Sequence, residues 1–282
     1  MRHIQLLLRA TRPKQWIKNL LVIVAPIAAG DLFNQLNEIF LGLIGFTSSS
    51  IIGYVVNDWL DQESDRAHHT KSLRPFASRQ LKVPSLAILL LLNSNVTLVT
   101  CFLLPKEYTF SVIAYLSVTL SYSFVIKNKP VLEMLWLSTG FLVRAIAGSA
   151  IIQKPPTGWF LLSVWFGAIF VVSAKRMAEL KTSRNVQTRS VLSKYNESFL
   201  NLVLTSSVSI TLLTYSLWVF EVHPNSILAQ ITIIPFAFSV FLYSYHCENG
   251  DAESPENLIY KDKMILLSVM ATILPLAILI YL

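Results

Sequence analysis

Nine apolar stretches follow one another along this chain, and they constrain its fold more than any other feature. A helix needs about 20 apolar residues to cross the hydrocarbon core of a bilayer. The composition agrees, because 54% of the residues are hydrophobic and 14% are charged, whereas a soluble domain carries about a quarter charged residues. The sequence therefore predicts an all-α membrane protein, a single domain over residues 1–282 with a bundle of about nine transmembrane helices. The predicted spans are about 17–33, 38–56, 83–103, 107–125, 131–152, 157–175, 198–220, 226–246 and 263–282.

Basic residues indicate the orientation, since the cytoplasmic loops of membrane proteins carry an excess of Lys and Arg. With a cytoplasmic N-terminus, 20 of the 23 Lys and Arg fall in inner segments, whereas Lys106 and Lys154 fall outside and Arg144 lies within a span. The other polar clusters fall on the same side, so we expect a multi-pass protein of the plasma membrane with a cytoplasmic active site. The formal charge of +7 is then explained by anionic lipid and an anionic substrate, not by nucleic acid.

A run of carboxylates follows the second predicted span. Asp58, Asp61 and Asp65 recur at intervals of three and four, so on a helix they share one face, next to Asn57. Stacked carboxylates repel one another, and a divalent cation relieves that repulsion. Mg²⁺ held by one or two carboxylates and shared with substrate phosphates is a common arrangement. The run predicts a magnesium and phosphate site; the simpler alternative is a solvated helix end.

Cations follow this run directly. Arg66, Lys71 and Arg74 are suited to phosphate, and Pro75 restricts Arg74 to an extended backbone, which would aim a planar bidentate donor. The alternative is that these residues only set the membrane topology. The neighbouring pair His68 and His69 lacks the cysteine or helical partner of a zinc site.

Arg144 lies well inside the fifth predicted span. An ionised guanidinium there costs at least roughly 2.5–3.5 kcal/mol unless it faces a polar cavity or a counter-charge. Small residues on both sides, among them Gly140 and Gly148, allow neighbouring helices to approach closely. We expect either a substrate-binding side chain in a cavity or a structural salt bridge.

Two further groups are candidates for phosphate binding. Lys14 and Lys18 lie in a basic N-terminal segment that resembles an interfacial helix, and they could bind the phosphate of a lipid. At the end of the sixth predicted span, Lys175, Arg176 and Glu179 are either a second phosphate and metal cluster or a helix-end salt bridge between the first and the last of them.

With these residues placed, the chain resembles the UbiA superfamily of intramembrane prenyltransferases, and within it the decaprenyl-phosphate phosphoribosyltransferases. The run from Asn57 to Asp65 is similar to the first aspartate-rich motif of the superfamily. The matching segments are Arg12–Asn19, Asp65–His68, Lys71–Pro75, Tyr122–Lys127, Phe141–Gly148, Lys175–Leu180 and Ser254–Glu256 before Asp262. Three departures are His69 for an expected proline, Glu133 for a commoner aspartate, and Ser78-Arg79-Gln80 for a glycine-containing turn.

The resemblance implies transfer of phosphoribose from 5-phosphoribosyl 1-diphosphate to a polyprenyl phosphate, with release of diphosphate, for cell-envelope precursor synthesis. It implies Mg²⁺ on Asp58, Asp61 and Asp65, and membrane and substrate partners but no nucleic acid; a homo-oligomer is also possible. The residues that it suggests for substrate binding are Lys14, Lys18, Arg66, Lys71, Arg74, Tyr122, Lys127, Arg144, Lys175, Arg176 and Glu179, with Arg12 beside the lipid phosphate and Asn57 beside the catalytic aspartates.

Two alternatives use the same residues. An ordinary UbiA enzyme would move a polyprenyl group from its diphosphate to an aromatic acceptor, and the aspartate run would serve that reaction equally well. A membrane transporter would line its pathway with Arg144, although the short outer loops and the one-sided polar chemistry disfavour it.

Overall fold

The computed structural model describes residues 2–67, 71–182, 191–249 and 262–281, and the described chain is helical, with no strand in those ranges. The α-helices are α1 (Arg2–Ala10), α2 (Leu21–Ala28), α3 (Leu36–Leu60), α4 (Gln62–Arg66), α5 (Val83–Leu103), α6 (Lys106–Phe124), α7 (Leu132–Ile152), α8 (Gly158–Thr182), α9 (Glu197–Val222), α10 (Ile227–Ile231), α11 (Ile233–Glu248) and α12 (Lys263–Tyr281). Short 3₁₀ segments cover Pro13–Leu20, Lys71–Leu73, Ile126–Asn128 and Leu192–Lys194.

Seven helical segments within the described residues are long and apolar enough to cross a membrane. They are Leu36–Leu60, Val83–Leu103, Leu132–Ile152, Gly158–Lys181, Glu197–Val222, Ile227–Glu248 and Lys263–Tyr281. The protein is therefore a multi-pass membrane protein, and seven of the predicted spans coincide with these segments.

The other two predicted spans, 17–33 and 107–125, are not among these seven segments. The segment predicted at 17–33 is divided between a 3₁₀ segment and the eight-residue α2, and Gly30 turns the chain beyond it with φ of 71°. The fourth predicted span is a helix, α6, whose Ser, Thr and Tyr side chains make it less apolar than the seven. The number nine and the cytoplasmic N-terminus stay predictions.

The chain divides into two compact units. The first comprises Met1–Pro26, Asp31–Lys127 and Val143–Pro155; the second comprises Ile27–Gly30, Asn128–Leu142 and Pro156–Leu282. Helix α7 belongs to the second unit up to Leu142 and to the first from Val143 onward. The prediction of a single domain stays a prediction.

In the first unit, an apolar core forms around Phe46, Tyr108 and Val112, and a second one around Val55 and Phe76. The N-terminal segment approaches α7 closely at Gly148, where an added Cβ would lie 2.1 Å from the carbonyl oxygen of Val22. Only glycine fits that approach, and it brings the end of the Pro13–Leu20 segment beside Arg144.

In the second unit, α8 and α9 pack against each other over their length. The core there contains Met134, Phe170, Met177, Leu200 and Leu204, all buried. Because this core is apolar, the charged side chains that lie beside it must find partners within the unit.

Candidate functional site

The three aspartates lie where α3 passes into α4. Asp61 is the junction between the two helices, and its backbone N–H donates to the Asn57 carbonyl at 2.9 Å. The Asp65 N–H donates in turn to the Asp61 carbonyl at 2.8 Å. The helical bonding therefore continues across the junction, which gives the carboxylates the spacing that the sequence predicts.

Asp58 is paired with two arginines. Its side chain is 2% exposed, and it accepts from Arg12 Nε at 3.1 Å, from Arg12 Nη2, and from Arg74 Nη1 at 3.0 Å. Arg74 Nη1 also donates to Asp65 Oδ2 at 2.6 Å. Arg74 thus connects two of the three aspartates, and the buried carboxylate of Asp58 is compensated by two guanidinium groups.

Asp61 has a different set of partners. Lys127 Nζ pairs with its Oδ1 atom, and Asn57 Nδ2 donates to Oδ2 at 3.0 Å. Ser123 Oγ donates to the Asn57 amide oxygen at 3.2 Å, which fixes the direction of that amide. Asp61 is 23% exposed, so solvent reaches its carboxylate more easily than that of Asp58.

The backbone at Arg12 explains how this side chain reaches Asp58, 46 residues away. Arg12 has φ of 54° and ψ of 62° in the left-handed region, directly before Pro13. A non-glycine residue seldom adopts this conformation, and a following proline normally favours an extended one. The turn ends α1 abruptly and places the Arg12 guanidinium 5.6 Å from the ring centre of Tyr54.

Burial and neighbouring charge act on the two arginines in opposite directions. Burial lowers the pKa of Arg12, but the Asp58 carboxylate more than offsets it, so the pKa lies above its usual value. Burial and the Arg12 guanidinium lower the pKa of Arg74, against the opposing effect of Asp58 and Asp65. Both side chains remain cations at neutral pH.

An open pocket of about 330 Å³ lies over this cluster in the first unit. Its described lining includes the charged residues Arg9, Arg12, Lys14, Asp58 and Arg74. Of these residues, Arg9 is one of the 20 inner basic residues that indicate the orientation, and the sequence did not single it out as a site residue.

Arg144 is buried in the first unit, and its described partners are neutral groups. It is 4% exposed; its Nε donates to the Asn19 amide oxygen and its Nη2 to the Tyr115 hydroxyl, both at 2.9 Å. Its guanidinium carbon lies 4.7 Å from the ring centre of Tyr115 and 5.9 Å from that of Phe46. It also contacts the Tyr54 hydroxyl. These partners stabilise the guanidinium through hydrogen bonds and contacts with aromatic rings.

Asn19 is a residue that sequence reasoning missed. It is fully buried, and its amide oxygen accepts from Ser50 Oγ at 3.0 Å as well as from Arg144, while its nitrogen donates to Thr47 Oγ1 at 3.2 Å. This network fixes both ends of the amide. The sequence feature that could have identified Asn19 is that it is a single amide residue directly before an apolar run.

A second charged cluster lies in the second unit. Glu133 and Arg176 are 0% and 2% exposed, and the guanidinium binds the carboxylate at two points, 2.6 Å and 2.7 Å. Arg176 Nη1 also donates to Glu179 at 2.8 Å, an i,i+3 pair along α8. Arg176 is thus the residue that connects the two carboxylates, and the two alternatives that the sequence left open for Lys175, Arg176 and Glu179, a second phosphate and metal cluster or a helix-end salt bridge, stay predictions.

Tyr195 completes this cluster. Its hydroxyl lies 3.5 Å from Glu133 Oε1 and accepts from the Val131 backbone N–H at 2.8 Å. Val131 has φ of 64°, an unusual conformation for a β-branched residue. Burial raises the pKa of Tyr195 to about 12, so the phenol is neutral at physiological pH. Neither residue was among the sequence candidates.

The remaining candidates are dispersed. Arg66 donates to the Ala77 carbonyl at 2.9 Å and pairs with Glu63 at 2.6 Å, which are contacts that hold the local chain. Lys18, Lys71 and Tyr122 are half-buried. His68, His69 and the segment 254–256 lie outside the described residues. The functional roles of all these residues stay predictions.

The donor set can be compared with the needs of Mg²⁺. Carboxylate and amide oxygens are its preferred protein ligands, so the chemistry of Asp58, Asp61, Asp65 and Asn57 fits. Each of the three aspartates is bonded to at least one cationic side chain, and the part of the chain that the structure describes contains no cluster of three or more His, Cys, Asp or Glu placed to hold an ion. The residues therefore fit the metal by type, while their charge is balanced here by arginine and lysine.

The chain is similar to a known protein family, to named relatives and to solved structures. The UbiA prenyltransferase family model matches residues 20–274. The decaprenyl-phosphate phosphoribosyltransferase of Mycolicibacterium smegmatis is 34% identical over 95% of this chain and 90% of its own length, and that of Mycobacterium tuberculosis is 34% identical over 94% and 91%. A UbiA homologue from Archaeoglobus fulgidus, solved with GPP and Mg²⁺, has a TM-score of 0.72 and 16% identity over 95% of this chain and 99% of its own, which shows a shared fold. The chain therefore belongs to the UbiA prenyltransferase family.

Proposed function

We propose that this protein transfers 5-phosphoribose from 5-phosphoribosyl 1-diphosphate to a polyprenyl phosphate of the decaprenyl type, as a step in the synthesis of cell-envelope precursors. The observation that carries the proposal is 34% identity to two proteins named decaprenyl-phosphate phosphoribosyltransferase, over nine-tenths of their length. The cations around Asp58 support it, because this donor carries a 5-phosphate in addition to its diphosphate.

The reaction breaks the bond between ribosyl C1 and a diphosphate oxygen, and the bonding electron pair leaves with the diphosphate. A new bond joins C1 to an oxygen of the lipid phosphate. That nucleophile is already an anion, so the step needs no strong general base. The developing charge on the leaving group is stabilised by cations fixed before the reaction, and our candidates are Lys71, Arg74, Lys127 and Arg144.

Asp58, Asp61 and Asp65 would hold the Mg²⁺ that the reaction requires, and the bound ion supplies charge neutralisation for the diphosphate. Asn57 holds the Asp61 carboxylate through the 3.0 Å hydrogen bond. Because Lys127 and Arg74 contact the same carboxylates, these cations lie within reach of a phosphate bound there.

The other candidate roles concern the lipid and the membrane. Lys14 and Lys18 are suited to the lipid phosphate, together with Arg12. We place the N-terminus and the charged clusters on the cytoplasmic face of the plasma membrane, in a single nine-helix domain, because this arrangement puts nearly all the basic residues inside. A homo-oligomer is compatible with this arrangement.

A transfer assay on the purified full-length protein in detergent tests the proposal. One reaction contains labelled phosphoribosyl diphosphate and a polyprenyl phosphate; a second contains a polyprenyl diphosphate and an aromatic acid; each is run with Mg²⁺ or with a chelator. We expect a labelled glycolipid in the first reaction; the chelator should abolish its formation, and Asp61→Asn should form less of it at the same Mg²⁺ concentration. Product in the second reaction alone would contradict the proposal and assign the protein to the aromatic prenyltransferases.

A further inference from the structure

Helix α5 carries an exposed asparagine at the depth where a membrane contains no water. Asn95 is exposed, and α5 runs from Val83 to Leu103, so the middle of the helix is residue 93. At a rise of about 1.5 Å per residue, Asn95 lies roughly 3 Å along the axis from that middle. Because α5 is one of the described segments that are long and apolar enough to cross a membrane, its amide faces the hydrocarbon core.

Two other polar side chains of α5 point into the first unit. Thr97 and Thr100 are 5% and 2% exposed, and Thr97 Oγ1 lies 3.3 Å from Ser49 Oγ of α3. Thr100 Oγ1 donates to the Thr97 carbonyl at 2.9 Å. Asn95 lies two residues before Thr97 and so about 200° around the helix from it. The asparagine therefore points away from the side of α5 that packs on α3.

The local hydrogen bond of Asn95 satisfies only part of its amide. Its Nδ2 atom donates to the Leu91 carbonyl at 2.8 Å. An asparagine amide has two N–H donors and a carbonyl oxygen with two lone pairs, so one N–H and the oxygen remain for a partner outside the described chain. Hydrocarbon offers neither a donor nor an acceptor, and an unsatisfied polar group there costs free energy.

The apolar side chains around Asn95 repeat at the spacing of a helix-packing interface. The exposed stripe on this side of α5, here named the α5 seam, consists of Ile88, Leu92, Asn95, Val99 and Phe102. Successive members are separated by four, three, four and three residues. This alternation forms one face that interdigitates with a neighbouring helix, and a single asparagine in such a face specifies register and oligomeric state in coiled coils.

A second copy of this chain has the chemistry that the α5 seam requires. The open N–H of one Asn95 can donate to the carbonyl oxygen of another, so the same side chain supplies both halves of the hydrogen bond. Symmetric association around α5 brings identical residues of the copies together. Lipid is not an equivalent partner, because acyl chains carry no hydrogen-bonding group and headgroups lie at the membrane surface.

We propose that copies of this protein associate in the membrane through the α5 seam, with the Asn95 amides hydrogen-bonded to one another across the interface. Polar side chains are common links between membrane helices for the same reason. The inference does not rest on the proposed reaction, because the seam contains none of the candidate substrate or metal residues.

Energy transfer between two populations of the full-length protein in liposomes tests the seam. One population carries a donor fluorophore at its C-terminus and the other an acceptor, and the lipid-to-protein ratio is raised stepwise until the copies dissociate. We expect Asn95→Leu to weaken association about tenfold, since it removes the amide and keeps an apolar side chain. Asn95→Gln should retain most of the association, because it keeps the amide.

Asn201→Leu is the matched control, because Asn201 is also an exposed asparagine but lies near the start of α9. We expect this variant to associate like the wild type. Thermal unfolding of each preparation checks the fold, and Asn95→Leu should melt like the wild type because the amide that it removes is exposed. If Asn95→Leu is unstable, Val99→Trp replaces it, since the bulky ring separates the seam and leaves the amide in place.

Energy transfer that is unchanged in a folded Asn95→Leu or Val99→Trp variant would overturn the seam. A wild-type protein without energy transfer at any lipid ratio would also overturn it and would assign Asn95 to a different membrane protein. An equal loss in Asn95→Leu and Asn201→Leu would show that the effect is not specific to the middle of α5. The measurement contains no substrate, so its failure is distinct from a failure of the proposed transfer reaction.

Discussion

Arg74 donates from one nitrogen atom, Nη1, to two aspartates, reaching Asp58 Oδ1 at 3.0 Å and Asp65 Oδ2 at 2.6 Å. The guanidinium therefore holds together two carboxylates that lie seven residues apart and would otherwise repel each other. This pairing gives the aspartate run a defined arrangement before substrate binds. It also makes Arg74 the residue whose loss should affect the cluster most widely.

We expect Arg74→Gln to lower kcat/KM for glycolipid formation by roughly 10- to 100-fold, since a hydrogen bond to a charged group contributes about 1.5–3 kcal/mol. Arg74→Lys should retain part of the activity, because it keeps the charge but loses the planar guanidinium. Steady-state kinetics with phosphoribosyl diphosphate measure the effect, with Lys82→Gln as a control for the loss of one exposed positive charge. Wild-type kinetics for Arg74→Gln would contradict this role.

Asp58 and Asp61 are both proposed Mg²⁺ ligands, but the loss of their charge should affect the stability of the protein to different degrees. Breaking a buried ion pair by removing one partner costs about 3–5 kcal/mol, and Asp58 is the more buried of the two. Asp58→Asn should therefore lower the thermal midpoint by several degrees. Asp61→Asn should leave the midpoint close to that of the wild type and raise the Mg²⁺ concentration needed for activity.

Thermal unfolding in detergent and Mg²⁺ titration of the transfer rate measure the two effects separately. Chelation followed by addition of Mg²⁺ should abolish and then restore the activity of the wild type. If Asp61→Asn lowered the midpoint as much as Asp58→Asn, the predicted difference in stability would be wrong; if it left the Mg²⁺ requirement unchanged, Asp61 would not be a metal ligand.

The helices were the part of the molecule that the sequence predicted best. The predicted spans 83–103 and 131–152 agree with Val83–Leu103 and Leu132–Ile152 to within one residue. Long apolar runs that end at prolines and charges specify such boundaries well. The structure of the segment 17–33 was harder to predict, because hydrophobicity does not reveal that the chain changes from a 3₁₀ segment into the short α2.

The sequence did not predict which residues the charged side chains contact. The contact between Arg12 and Asp58 joins residues 46 positions apart and depends on an unusual left-handed turn. Arg144 and Asn19 are 125 positions apart, and their contact depends on the close approach at Gly148. Residue type and spacing predicted which side chains carry charge, whereas tertiary packing determined which of them meet.

Asn19 offers a test of whether the charge of Arg144 acts on substrate. Asn19→Leu removes one acceptor of Arg144, one acceptor of Ser50 and the amide that donates to Thr47, so we expect a lower thermal midpoint. Asn19→Asp keeps the shape and gives Arg144 a carboxylate partner. We expect this variant to stay folded and to lose activity, because its carboxylate neutralises the cation that would attract the substrate anion.

Melting curves and transfer kinetics on the same preparations distinguish a structural role from an electrostatic one. Asn19→Asp with wild-type activity would mean that Arg144 serves the packing of the first unit and has no electrostatic role in the reaction. A fall in activity only in proportion to the loss of folded protein would lead to the same conclusion.

Glu133 is one of the three departures that the resemblance to the family indicates, and its contacts predict a structural role. It is fully buried, and Arg176 binds both of its oxygens. Glu133→Gln would leave a buried guanidinium with Glu179 as its described carboxylate partner, so we expect a loss of about 3 kcal/mol in the free energy of unfolding. Glu133→Asp should be intermediate, since it keeps the charge and shortens the reach by one methylene.

Thermal unfolding of the full-length protein measures this loss, with Glu221→Gln as the matched control, because Glu221 is an exposed carboxylate of the same unit. Glu133→Gln should melt several degrees below the control, and the protein that remains folded should retain its Mg²⁺ requirement. If Glu133→Gln melted like the wild type but needed more Mg²⁺, the carboxylate would act on the metal, and its two bonds to Arg176 would be secondary to that role.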